Sequence, residues 1–190
     1  MKITIVTSNA NKAREVTDFF SGVLDVVHIP LEIPELRSDD VVEISRQKAK
    51  YAYDHILSPL IVDDTSFSID TLNGFPGAYA AYVLNTIGNT GILKIMQDET
   101  ERDAHFTTVI AFADKTGIRH FTGTIHGTIV TTPRGSGGFG YDSIFETEGQ
   151  TLAEIPIHEK NKISHRAIAL SAFRDWVKQE FKTFDSDANG

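Results

Sequence analysis

Lys2-Ile3-Thr4-Ile5-Val6-Thr7 is a β-branched run that passes through a polar loop, Ser8-Asn9-Ala10-Asn11-Lys12, into a helical pattern from Ala13 to Phe20. A strand, a polar loop and a helix in that order open an α/β fold. Ser8, Asn9 or Asn11 can cap the helix, whose free amides and positive dipole end favour an anion, and Lys12 adds a full charge in the first turn. The same residues also read as an ordinary capped helix with a solvated lysine. The glycines and the Lys-Ser/Thr ending of a P-loop are missing.

Outward from that unit the pattern continues in kind. A strand is expected over Asp25 to Ile29, then a long helix from about Asp39 to Leu57 led by Ser38 as cap, then a short buried strand over Leu60 to Val62. A helix is expected from Asn85 to Met96. From Ala104 to Ala113 apolar residues alternate, Asp114-Lys115-Thr116-Gly117 turns the chain, and a second alternating run ends at Val130. In that second run Phe121, Gly123, Ile125, Gly127 and Ile129 share one face, while His120, Thr122, Thr124, His126 and Thr128 share the other. The histidines thus read as a polar sheet face rather than as metal ligands. A last helix starts near Ser164 and runs through Leu170, Phe173, Trp176, Val177 and Phe181 at helical spacing. Together these predict an α/β protein: a mixed twisted sheet flanked by helices, an antiparallel hairpin lobe, and an active-site cleft between lobes. One domain is expected over 1–184, with a disordered tail at 185–190.

Two segments carry chemistry. Val62 delivers Asp63-Asp64-Thr65-Ser66 to the end of the expected strand, and adjacent carboxylates on an extended chain point to opposite sides. One can face a cleft while the other binds backbone, or the pair can cap a turn. A hard divalent cation such as Mg²⁺ takes one or two carboxylates plus substrate phosphates, and Glu35 in Ile33-Pro34-Glu35-Leu36 is a candidate second ligand. Gly135-Ser136-Gly137-Gly138-Phe139-Gly140-Tyr141-Asp142 satisfies G-x-G-x-x-G literally. The chain continues through Asp142-Ser143-Ile144-Phe145, rich in β-formers and unlike the opening of a helix, so a dinucleotide-binding turn is excluded. Those glycines either let backbone approach a ligand, with Phe139 and Tyr141 as flat surfaces for an aromatic ring, or form a tight connection between strands.

The segments in order, Thr7 to Lys12, Val62-Asp63-Asp64-Thr65, Leu72-Asn73-Gly74-Phe75-Pro76-Gly77-Ala78-Tyr79, Gly137 to Asp142 and Ser164-His165-Arg166, closely resemble the inosine/xanthosine triphosphate pyrophosphatase family across nearly the whole chain. That resemblance implies hydrolysis of non-canonical purine nucleoside triphosphates (ITP, dITP, XTP) to the monophosphate and pyrophosphate. It implies that Thr7, Ser8, Asn9, Ala10, Asn11 and Lys12 hold the triphosphate, that Glu35 and Asp64 bind Mg²⁺, and that Asp64 accepts the proton of the attacking water. Lys48 and Lys160 match substrate-contacting lysines. Phe139, Gly140, Tyr141, Asp142, His165 and Arg166 match the base pocket, and Thr65 a phosphate contact. The chain departs from the family at Thr65-Ser66, where Ser-Gly is usual, and at Ala80-Ala81-Tyr82-Val83, where many members carry Ser-Ala-Arg-Tyr. A homodimer is the family's usual assembly. Two other functions use the same elements: a pyrophosphatase for other modified nucleotides, and a regulatory module that binds nucleotide without hydrolysis.

Composition agrees. At 190 residues and 41% hydrophobic the chain can bury roughly 70% of its unfolded surface, enough for one core and a deep cleft. With no cysteine there is neither disulfide nor thiolate chemistry. No signal peptide and no run of about 18 apolar residues is evident, so the expectation is a cytoplasmic protein off the membrane. A net charge of −8 opposes nucleic acid as a partner, whereas Lys12, Lys48, Lys160 and Arg166, brought together by folding, suit a small anionic one.

Overall fold

The structure, a computed structural model, describes residues 2–34 and 37–187, with side chains through residue 180. Strand β1 (Lys2–Val6) lies between β2 (Asp25–Ile29) and β3 (Leu60–Ile69), parallel to both. Helices α1 (Ala10–Phe20) and α2 (Val41–Ile56) make the two crossovers. From β3 onward the pairing turns antiparallel. Strand β5 (Asp103–Asp114) runs against all of β3, from Leu60 opposite Ala113 to Ile69 opposite Ala104, and β6 (Gly117–Ile129) runs back along β5. Short strands β7 (Phe145–Thr147) and β8 (Gln150–Thr151) complete the order β2-β1-β3-β5-β6-β7-β8, while β4 (Pro76–Gly77) pairs with the end of β3. The mixed sheet and its hairpin match the sequence reading.

Four local readings change. Helix α1 begins at Ala10, because the Asn9 side chain already accepts from the amides of Asn11 and Lys12. The cap of α2 is Asp40, which accepts from the Val42 amide at 2.8 Å; Ser38 sits two residues earlier and receives the Asp40 amide. The single helix expected over Asn85 to Met96 is two, α3 (Ala80–Thr86) and α4 (Gly88–Ile95), broken where Gly88 takes φ +63°. And β3 does not stop at Val62. It continues to Ile69, so Asp63, Asp64 and Thr65 stand in mid-strand. Two helices finish the chain, α5 (Ile157–Ile163) and α6 (His165–Asp187), separated at Ser164, whose hydroxyl accepts from the Ala167 amide. Helix α6 also runs into the stretch read as a tail, as far as Asp187, a fifth reading that changes.

Alternation along β3 sorts the core. Leu60 and Val62 pack with Val6 and with Ala49 and Ala52 of α2 on one face. Ile61 packs with Ile3, Ile5, Val16 and Phe20 and with Leu170 and Phe173 of α6 on the other. Trp176 extends that second cluster, its ring 5.2 Å from Phe112 and 5.5 Å from Phe121, with the Arg119 guanidinium 5.2 Å from its centroid. Beyond Thr65, Phe67 and Ile69 enter a third cluster with Phe106, Tyr141, Phe145 and residues of α3 and α4. Helix α6 can lie close on β6 because Gly123 has no side chain: a Cβ there would meet the His165 carbonyl oxygen at 2.1 Å and the Ala169 nitrogen at 2.5 Å.

Candidate active site

Period-two alternation gives the two central carboxylates different neighbours. Asp63 falls on the face of Ile61, toward α1 and α6. Its Oδ2 accepts from Arg166 Nε at 2.6 Å and its Oδ1 pairs with Lys12 Nζ at 2.9 Å. Lys12 Nζ also donates to the Asp63 carbonyl oxygen at 2.8 Å. These cations hold the Asp63 carboxyl well below the usual carboxylate range against the opposing effect of burial. Asp64 falls on the face of Val62, toward α2, where its Oδ1 accepts from Lys48 Nζ at 2.6 Å. Its Oδ2 is buried and has no hydrogen-bond partner among the described residues. The expectation that the pair diverges is met.

Asp63 belongs to a chain of alternating charge. Arg166 reaches on to Glu15 of α1, Glu15 Oε1 accepts from Lys160 Nζ at 2.9 Å, and Lys160 donates to Asp142 Oδ2 at 2.7 Å. Glu15 and Lys160 are each 2% exposed, which is tolerable only because every charge has a partner. The pairing carboxylates keep Arg166 firmly protonated despite burial, whereas burial pushes the Asp142 carboxyl up against the pull of Lys160. Asp142 Oδ2 also accepts from the Phe139 amide at 2.7 Å and fills the space at Gly138, where a Cβ would lie 2.1 Å from it. The loop's glycine thus admits the protein's own carboxylate. Phe139 remains half-buried, with Lys160 Nζ 4.9 Å and the Arg166 guanidinium carbon 5.8 Å from its ring centroid. Tyr141 differs from the expectation of a free stacking surface. It is 4% exposed, its ring lies 4.4 Å from Phe67, and its hydroxyl donates to the Ala80 carbonyl oxygen.

Three recesses meet around these groups. The largest, about 560 Å³, is lined by Lys12, Lys48, Asp64 and Thr65 on one side and by Arg37, Tyr79 and Tyr82 among others on the remainder. The second, about 130 Å³, shares Lys12 and Thr65 with it and adds Phe106, Phe139, Lys160, His165 and Arg166. A third of about 180 Å³ brings Thr7 and Ser8 beside Lys48 and Asp63. Ala10, Asn11 and Gly140 line none of the three. Asn11 instead accepts from Arg14 Nη2 at 3.0 Å, and Asn9 occupies two amides at the helix end that were expected to face a phosphate. Glu35 lies outside the described residues. Among the described residues no cluster of three histidines or acids forms, and no helix is long and apolar enough to cross a membrane. Glu15, Arg37 and Thr108 were not legible as site residues, since none belongs to a motif; the one signal for Glu15 is its i,i+3 offset from Lys12 on α1.

Fold and site define an α/β protein whose cleft sets lysines against strand carboxylates and ends in a recess walled by aromatic rings. That arrangement suits a phosphorylated ligand carrying a flat ring. Residues 3–176 match the Ham1 family, and the chain belongs to it. A dITP/XTP pyrophosphatase of Thermococcus kodakarensis is 44% identical over 186 residues, covering 96% of this chain and all of the relative. Inosine triphosphate pyrophosphatase 2 of Trypanosoma cruzi is 45% identical over 177 residues, 91% of this chain and 90% of the relative. The structure of the Staphylococcus aureus Ham1 protein superposes with a TM-score of 0.82 at 26% identity, covering 95% of this chain and all of that one.

Proposed function

We propose that this protein hydrolyses non-canonical purine nucleoside triphosphates, ITP, dITP and XTP, to the monophosphate and pyrophosphate. The names of the two curated relatives support that substrate class. The observation that carries the reading is the unequal state of the two β3 carboxylates: Asp63 is saturated by Arg166 and Lys12, while Asp64 keeps one buried oxygen beside the cleft with no hydrogen-bond partner among the described residues. A buried, unpaired carboxylate oxygen costs free energy unless a ligand completes it. That oxygen fits a Mg²⁺ ion carried with the triphosphate, since Mg²⁺ takes few protein ligands beside phosphate oxygens and waters. Asp64, with Glu35, would hold it. When bound, the ion offsets negative charge on the phosphate oxygens.

The residues of the chain then divide the work. Lys12 and Lys48 neutralise phosphate oxygens beside Thr65, and Asp64 accepts a proton from the attacking water. Phe139 offers its ring to the base, and His165 and Arg166 stand at the inner recess. A carbonyl at position 6 of the purine matches donors there, whereas the amine of adenine leaves a buried polar group unpaired at a cost of about 1–3 kcal/mol. We read the two ends of the sheet as lobes with the cleft between them, the compartment as the cytoplasm, and the assembly as a homodimer of twice 21.0 kDa. The test is an assay with Mg²⁺ of ITP, dITP, XTP, GTP and ATP, following monophosphate and pyrophosphate. Hydrolysis of the first three with the last two spared is the expected outcome. Tight binding without turnover would replace the reading with a regulatory module, preference for modified pyrimidines with a different base pocket, and stepwise orthophosphate with cleavage at another bond.

A further inference from the structure

Thr108 lies outside every motif, yet it is wholly buried on β5 directly opposite Thr65 of β3. Its Oγ1 is 2.7 Å from Thr65 Oγ1 and 2.6 Å from His165 Nδ1. The direction of this chain follows from the one member that can only donate. Arg166 Nη2 donates to Thr65 Oγ1 at 3.2 Å, so the Thr65 oxygen is an acceptor there and must place its own proton elsewhere. Two acceptors are in reach. Asp63 Oδ1 is 3.4 Å away and already receives Lys12 at 2.9 Å and Arg166 Nη2 at 3.3 Å; the Thr108 oxygen is much closer, at 2.7 Å, and its other neighbour is the His165 ring nitrogen, which donates or accepts according to its tautomer. The shorter, less crowded contact favours Thr65 donating to Thr108, and that direction leaves the Thr108 proton for His165 Nδ1.

His165 is 3% exposed, lines the inner recess, and stacks on Phe106 with ring centroids 4.8 Å apart. Burial, with Arg166 and Lys160 nearby, holds its ring well below the usual imidazole range, so it is neutral and carries a single ring proton. With Nδ1 accepting, that proton sits on Nε2. We propose that the hydroxyls of Thr65 and Thr108 form a relay that fixes His165 as the Nε2–H tautomer, so that the imidazole presents a hydrogen-bond donor to the recess. The occupant's ring must then bring an acceptor, such as a carbonyl, to that position. Thr108 is on this account a positioning residue that sets base selectivity without touching the base; the link to a base rests on the function proposed above.

The tautomer itself can be read in the protein without nucleotide. Long-range ¹H–¹⁵N correlation spectra at neutral pH, with His165 assigned by its loss in His165→Gln, are expected to show Nε2 protonated and Nδ1 as a bare acceptor. A protonated Nδ1 overturns the relay whatever the enzyme assay gives. Thr108→Val keeps the shape and removes the hydroxyl: the ring proton should redistribute toward Nδ1, and the ratio of kcat/KM for ITP to that for ATP should fall about tenfold, mainly through KM for ITP. Thr108→Ser should restore both. A Val variant that keeps the tautomer and the ratio overturns the proposal, and if that variant does not fold, the wild-type spectrum alone still decides. Absence of any nucleotide turnover together with an Nε2–H ring would instead strike the proposed function and leave the relay standing.

Discussion

Asn substituted at position 63 and at position 64 should give opposite phenotypes, although the two side chains differ only in which face of β3 they leave. At 63 the carboxylate is the shared partner of Arg166 and Lys12, and an amide cannot accept from both without leaving buried positive charge uncompensated. Asp63→Asn should lose about 3–5 kcal/mol of stability, read as a lower urea midpoint. At 64 one oxygen has no hydrogen-bond partner among the described residues and the other meets a single lysine, from which an amide oxygen can still accept, so Asp64→Asn should cost clearly less stability than Asp63→Asn. Its pyrophosphate release should fall by about 10²–10⁴-fold. Equal urea midpoints for both variants, or substantial turnover in the second, would refute this division. The divergence itself was legible from alternation on an extended chain. Which carboxylate meets the cations was not, because Arg166 comes from a helix 103 residues further along and Glu15, which holds Arg166 from the other side, is 151 residues from it.

Elements position these residues through length and contact rather than through motif. The apolar run Leu60-Ile61-Val62 reads correctly as buried strand, but polar Asp63-Asp64-Thr65-Ser66 reads as its end; pairing with β5 through Ile69 carries the strand across the floor of the cleft. A polar stretch in mid-strand is what a sequence pattern misreads when a site is built into the sheet itself. Glycine was legible as loop punctuation at Gly138 and illegible as a packing surface at Gly123, whose role depends on a helix far along the chain. Gly123→Ala places a Cβ against the backbone of α6, at the His165 carbonyl and the Ala169 amide. Backbone cannot swing aside as a side-chain tip can. This variant should lose about 1–3 kcal/mol of stability and raise KM for ITP more than it lowers kcat, because the displaced helix carries His165 and Arg166. Wild-type stability and KM would show that α6 has room the geometry denies.

At the scale of the molecule, one sheet runs unbroken from the parallel β2-β1-β3 side to the antiparallel β5-β6-β7-β8 side, and the cleft lies where β3 passes from one core cluster to the next. The α/β class and the hairpin were legible because each element announces its own period. The strand order was not, since nothing local says that β1 inserts between β2 and β3. Ligand bound across that handover should stabilise the whole fold. With Mg²⁺ and a non-hydrolysable ITP analogue at about 100 times its Kd, the gain is about 2.7 kcal/mol, a rise in Tm of roughly 5–10 °C, and a chelator should remove most of it. No shift with the analogue, or one indifferent to the chelator, would count against the metal-borne triphosphate. The single tryptophan gives such experiments a built-in gauge. Trp176 stands on the same helix as Arg166, ten residues and so about 15 Å further along its axis, wedged among Phe112, Phe121 and Phe173. Its fluorescence therefore reports whether the helix that carries Arg166 is seated on the sheet, independently of turnover.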